Sequence, residues 1–201
     1  GVKVSDLDLG KFGPLLLDGS TTIAIEYEYP WGKERSEELT LEAEHKNSTI
    51  TDILNENKNY QTREDIMTAI NEFSLSWTDA ISKYDANLIK HISDENRSSI
   101  AMEFDTISMS GLEITSRLIR NVYNLDSFYF SEYNNEYTAE IQVETTMTHT
   151  YRIAGELPHT EDQGSIFTYS LTYDVELGEW IITHEWENFS FNATNTEEFR
   201  F

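Results

Sequence analysis

The sequence predicts an α+β fold in which N-terminal helices pack on a curved antiparallel sheet, preceded by a small β-hairpin module. Three observations predict it. From Tyr137 to Ile153 every second residue is apolar, ring-bearing or Thr145, and the intervening positions are Thr, Glu, Gln or Arg. That strict period of two means one buried and one wet face, and it runs far beyond the usual strand of roughly 5–6 residues. A strand so long must curve around something. Upstream, Ile66, Ile70, Phe73, Trp77, Ala80 and Tyr84 recur at alternating steps of four and three, the stripe of an amphipathic helix. Finally, sixteen of the 25 aromatic residues follow residue 121, as a ring-rich sheet requires.

In chain order, residues 1–48 read as a small β module whose beginning is missing. Ile23, Ile25, Tyr27 and Tyr29 alternate with polar residues, Pro30-Trp31-Gly32 turns the chain, and Leu39, Leu41 and Ala43 form the return strand. Phe12-Gly13-Pro14-Leu15-Leu16 reads as a buried loop leading into this hairpin. Residues 49–61 lie in an Asn-rich polar stretch and are assigned as a linker. The main domain is placed at 62–192. Thr62 and Asp65 resemble a capping box at the start of the first helix. Asp85 caps a short second helix carrying Leu88, Ile89 and Ile92, and Ile100, Phe104 and Ile107 mark a third that Gly111 interrupts. Leu112 to Asn121 fits helix or strand equally well.

From Val122 the chain turns to strands. Phe128 and Phe130 flank a wet Tyr129, Asn134-Asn135 makes a hairpin turn, and the long strand follows. Gly155 to Gly164 reads as a polar loop. Phe167, Tyr169, Leu171, Tyr173 and Val175 alternate in the next strand, Leu177-Gly178-Glu179 turns, and Trp180, Ile182, His184 and Trp186 alternate in the last. Residues 193–201 read as a polar, frayed tail.

The net charge of -23, from 37 acidic and 14 basic residues with no basic cluster, excludes nucleic acid as a partner and disfavours an anionic membrane surface. Without cysteine there is neither a disulfide framework nor a thiolate metal site. The five histidines, His45, His91, His149, His159 and His184, have no metal-ligand spacing, and Glu161-Asp162 beside His159 reads as a solvated loop rather than a cation site. No metal or cofactor is expected. No G-x-S-x-G elbow is present. Asn47, Asn96, Asn188 and Asn192 begin Asn-x-Ser/Thr triplets, which a chain rich in these residues generates by chance. No apolar run is long enough to span a membrane. Because the chain starts inside what reads as a module, it is expected to be an excised ectodomain, anchored to the membrane only through a segment before Gly1.

The element order and the closing pair, Tyr169-Ser170-Leu171-Thr172-Tyr173 followed by Gly178-Glu179-Trp180-Ile181-Ile182, resemble the NTF2-like cone fold over residues 62–192. The N-terminal Gly13-Pro14-Leu15-Leu16, Gly19, the strand to Tyr29 and Trp31-Gly32-Lys33 resemble the small β modules of TcaA/YvbJ-type membrane proteins of Gram-positive bacteria. Leu17-Asp18-Gly19 departs from the Leu-Pro-Gly usual there. The resemblance implies an extracytoplasmic, non-enzymatic binding or scaffolding domain of a cell-envelope protein, linked to cell-wall stress and glycopeptide susceptibility. Its partner would be a cell-wall component or an envelope protein, and the sheet would offer a face for a homodimer.

In such a cone a pocket is expected to be lined by Trp77, Tyr84, Phe104, Tyr137, Ile141, His149, Tyr169, Tyr173, Trp180 and His184. The rival reading is an isomerase- or dehydratase-like enzyme, for which His149, His184, Asp105 and Tyr169 are the available acid–base groups. The favoured reading makes His149 and His184 half-buried strand histidines and Asp105 a cap or solvated carboxylate, because a lone histidine on an apolar face lacks the partners catalysis needs. Trp31, with Tyr27 and Tyr29, is expected to seal the hairpin against the main domain rather than to stack on a sugar. A third reading is a structural spacer or dimerisation unit.

Overall fold

The computed structural model describes residues 16–24, 26–35, 38–43 and 60–201. The chain divides into two compact units, Gly1–Tyr60 and Gln61–Phe201. The expected loop at 12–15 and residues 49–59 of the expected linker lie outside the described residues, while Tyr60 and Gln61, also assigned to the linker, belong to the first helix.

In the first unit, β1 (Thr22–Ile23) pairs with β4 (Leu39–Thr40), and β2 (Glu26–Tyr29) pairs with β3 (Gly32–Arg35), both antiparallel. The return strand therefore starts at Gly32 rather than at Leu39. Gly32-Lys33-Glu34-Arg35 has no apolar alternation because Lys33 and Arg35 are exposed and make ion pairs with Glu26 and Glu38. Trp31 stacks on Tyr29 at 4.7 Å and its indole N–H donates to Glu34 Oε1 at 3.2 Å, so the turn tip is held within this unit.

The second unit opens with α1 (Tyr60–Lys83), followed by a 3-10 turn (Ala86–Leu88) and α2 (Asp94–Met109). Helix α1 begins before Thr62, which is fully buried inside the first turn, so Thr62 and Asp65 are not the capping box expected; Asp65 instead accepts from Gln61 one turn back at 3.0 Å. Asp85 caps the 3-10 turn through Asn87 N–H, and Ser93 caps α2 through Asn96 N–H. Arg97 ties the two together by donating to the Ala86 and Ile89 carbonyls at 2.9 and 2.7 Å. Gly111, at φ +73°, ends the helical segment in a conformation side chains resist, and the chain turns directly into a strand.

Five antiparallel strands follow in the spatial order β8-β7-β6-β5-β9: β5 (Leu112–Tyr133), β6 (Glu136–Ile153), β7 (His159–Asp174), β8 (Glu179–Asn188) and β9 (Thr196–Arg200). The long alternating strand is β6, as expected. It pairs with β5 on one side and β7 on the other, and Asn134 and Asn135, both at positive φ, form the two-residue turn before it.

Leu112 to Asn121 is strand. Its alternation was hidden by a bulge: Leu118 opposes Met147 and Arg120 opposes Thr146, leaving Ile119 over. Ser116 and Leu118 share the inner face before the bulge, Asn121 and Tyr123 after it. A second, larger bulge between Asn124 and Tyr129 is filled by hydrogen bonds of Asn124, Asp126 and Ser127.

The expected polar loop at 155–164 is mostly strand, since β7 starts at His159 and pairs with β6 up to Tyr151. Strand β7 ends at Asp174, and Val175 lies exposed in the following turn. The expected frayed tail is also strand: β9 pairs with β5 from Asn124 to Arg120, and Phe199 meets Tyr123 edge to face at 5.6 Å. Polar composition concealed it because an edge strand keeps one side wet.

The core lies between α1 and the concave sheet face. Ile66, Ile70 and Phe73 of the helix and Ile141, Val143, Tyr169 and Leu171 of the sheet are all buried. The helix runs antiparallel to β5, as shown by Tyr123 bonding Met67 at one end and Tyr84 bonding Ile114 at the other.

Candidate functional site

The concave face has a filled interior and an accessible end. In the interior a polar cluster sits where a cone pocket was expected. Asn121 Nδ2 donates to Asn71 Oδ1 at 2.8 Å and to Ser74 Oγ at 3.3 Å; Asn121 Oδ1 accepts from Thr145 Oγ1 at 2.9 Å. The Tyr123 hydroxyl lies 2.7 Å from Asn71 Oδ1 and 3.0 Å from the Met67 carbonyl. Each group finds its partner inside the chain, which is what burial of amides and hydroxyls demands. Burial pushes the Tyr123 and Tyr169 phenols upward. Glu185 adds to the rise for Tyr169, against a smaller opposing effect of the neighbouring Thr145 hydroxyl, so both rings stay neutral.

The expected pocket residues separate into groups. Tyr173 and Trp180 pack edge to face at 5.4 Å, with Phe130 against Trp180 at 6.3 Å and buried Tyr137 on the same face, closing the hairpin end. Tyr169 packs on Phe73 at 5.9 Å beside buried Ile141. Tyr84 and Phe104 meet at 6.4 Å at the end of α1, where the Tyr84 hydroxyl bonds Leu112 and Ile114.

His184 is not on the concave face. Ser170 opposes His184 while Leu171 opposes Ile182, so Thr183 bulges out and reverses the alternation expected for β8. Asn96 of α2 donates to the bulged Thr183 carbonyl at 2.9 Å. His184 and Trp186 therefore stack on the exposed convex face, 5.7 Å apart and 8° from parallel. Glu185 turns toward Tyr169 instead. Although the residue is exposed as a whole, desolvation first and Glu103 second raise its carboxyl pKa. Asp105 is exposed on α2.

Trp77 and His149 do come together, at the accessible end. Their rings lie edge to face at 6.3 Å, and His149 Nδ1 is hydrogen-bonded to Ser116 Oγ at 2.7 Å. Burial lowers the His149 pKa, against a smaller upward pull from Glu161, which opposes it in register. Tyr151 and His159 continue the row of rings, with centroids 6.0 Å from His149 to Tyr151 and 6.4 Å from Tyr151 to His159. Neighbouring Glu161 and Asp162 point to opposite faces, Asp162 accepting from Thr148 at 2.6 Å on the convex side. Among the described residues no three His, Asp or Glu side chains converge on a metal position.

Ser116, Glu161 and the buried amides were not among the residues expected from sequence. Thr145 at an inward position of β6 was the one visible sign of a polar interior.

A curved sheet wrapped around an N-terminal helix, with its concave side lined by the long middle strand, defines an NTF2-like domain. The family model of the YvbJ NTF2-like domain matches residues 66–185, and this chain belongs to that family. The model of the TcaA protein 3rd/4th domain matches residues 1–52. The chain is 24% identical over 192 residues to the uncharacterized membrane protein YvbJ of Bacillus subtilis (strain 168), covering 94% of this chain and 30% of that protein. It thus spans about a third of its relative's length. Among solved structures, the intermembrane space region of the chloroplast protein ARC6 aligns over 65% of this chain and 96% of its own at 13% identity and a TM-score of 0.45. Among the described residues no helix is long and apolar enough to cross a membrane.

Proposed function

We propose that this chain is a non-enzymatic binding or scaffolding domain of a cell-envelope membrane protein, working outside the cytoplasm. Its partner is a cell-wall component or another envelope protein, and its setting is cell-wall stress or glycopeptide susceptibility. The supporting observation is how the chain uses the groups an enzyme would need. Asn71, Asn121, Tyr123 and Thr145 bond one another in the interior, His149 Nδ1 is held by Ser116, and His184 and Asp105 lie outside the cone. A general base must reach its substrate's proton, whereas recognition needs only a surface. The membrane-protein relative supports the association with a membrane protein.

Sedimentation of the purified chain with isolated Gram-positive cell wall across salt concentrations tests the proposal. Salt-resistant pelleting is the expected result. No pelleting at any salt overturns direct wall recognition and leaves an envelope protein as the partner.

A further inference from the structure

The accessible end of the concave face presents Trp77, His149, Tyr151 and His159 as a continuous strip of rings. One carboxylate, Glu161, stands over it, opposing His149 in register and 3.3 Å from His159 Nε2. The Glu161 and His159 side chains are 51% and 69% exposed and Trp77 and Tyr151 are half-buried, so these three rings and the carboxylate reach solvent, while His149 is buried and links Trp77 to Tyr151. The long alternation of β6 put His149 and Tyr151 on this face, and the β6–β7 register brought His159 and Glu161 beside them.

We propose that this strip binds a lysine side chain of a partner protein. Aromatic faces attract a cation within about 6 Å of the ring centre, and an apolar stem lies well along rings while its charged end reaches a carboxylate. The net charge of -23 steers a cationic segment toward the chain and repels an anionic one. Glu161 Oε2 is already shared with His159, leaving a single-point contact. That geometry suits a compact ammonium, whereas a guanidinium fork seeks two parallel bonds. Burial favours neutral His149, so its ring does not oppose the incoming charge.

The test is an NMR titration of the whole chain with a short peptide whose only charge is one lysine, in parallel with the same peptide acetylated on the lysine amine. Saturable shifts at His149, Tyr151 and Glu161 are expected with the lysyl peptide and not with the acetylated one. Glu161→Gln should weaken binding by about tenfold, while Asp162→Asn, the same charge change on the opposite face, should leave it within about twofold. Both side chains are exposed, so both variants keep the fold. Equal weakening by the two variants, equal binding of the acetylated peptide, shifts scattered over the acidic surface or no saturable shift would each overturn the proposal. The inference does not depend on cell-wall recognition, because lysyl-peptide binding and wall sedimentation can succeed or fail separately.

Discussion

The Ser116 hydroxyl lies 2.7 Å from Nδ1 of His149, joining β5 to β6 at the accessible end of the concave face. The histidine most available for catalysis thus has one ring nitrogen committed to a neighbouring strand, and burial disfavours its charged form. A native pKa below the unfolded value means the unfolded chain binds more protons between the two. Stability should therefore rise with pH across that window and fall as pH drops from the ordinary histidine range toward the lowered native value. Denaturant midpoints of wild type and His149→Asn on both sides of pH 6.5 measure this; the variant should lose that part of the slope.

The Asn71–Asn121 contact at the centre of the domain carries a different expectation. Asn121→Ala leaves Asn71, Ser74 and Thr145 without its amide in a fully buried place, and should cost about 2–4 kcal/mol by equilibrium denaturation. Asn121→Asp should be equally damaging, because the anion cannot donate to Asn71.

Residues 189–195 carry the chain from β8 to β9 across the convex face, where Gln142 and Asn124 donate to the Ser190 and Asn192 carbonyls. Asp126 fastens the far end, accepting from Thr194 N–H at 2.6 Å, the Thr194 hydroxyl at 2.8 Å and Asn195 N–H at 3.0 Å. These donors lower its pKa, so the fastening is present above the ordinary aspartate range and is lost as pH falls through the lower native value. Hydrogen exchange at Thr194 and Asn195 should quicken in Asp126→Ala at neutral pH, with the core amides of β6 unchanged.

Phe199 is the anchor of β9. Phe199→Ala removes its contact with the Tyr123 ring and should cost about 2 kcal/mol, the ring being half-buried. Exchange should rise first along Arg120–Asn124, the residues of β5 that pair with β9.

What the sequence revealed follows from whether periodicity was interrupted. Strand β6 has no bulge, so its inward residues could be read directly, and the stripe of α1 was equally clear. Strands β5 and β8 carry bulges at Ile119 and Thr183; one made a strand look ambiguous, and the other moved His184 and Trp186 to the opposite face. Register is a nonlocal property, so Glu161 opposite His149 could not be seen while the β6–β7 connection was taken for a loop. The buried amides escaped because Asn71 sits beside the apolar helix stripe and Asn121 just beyond a bulge, positions where composition predicts solvent.

The most direct test of a domain that works by surface recognition is salt-titrated wall sedimentation of wild type beside Trp77→Ala, at the concave end, and Trp186→Ala, on the convex face. The wild type should pellet at low and high salt, and one of the two variants should remain in solution with its fold intact by circular dichroism. A wild type that stays in the supernatant at every salt, or both variants pelleting like wild type, would contradict wall recognition through either aromatic face.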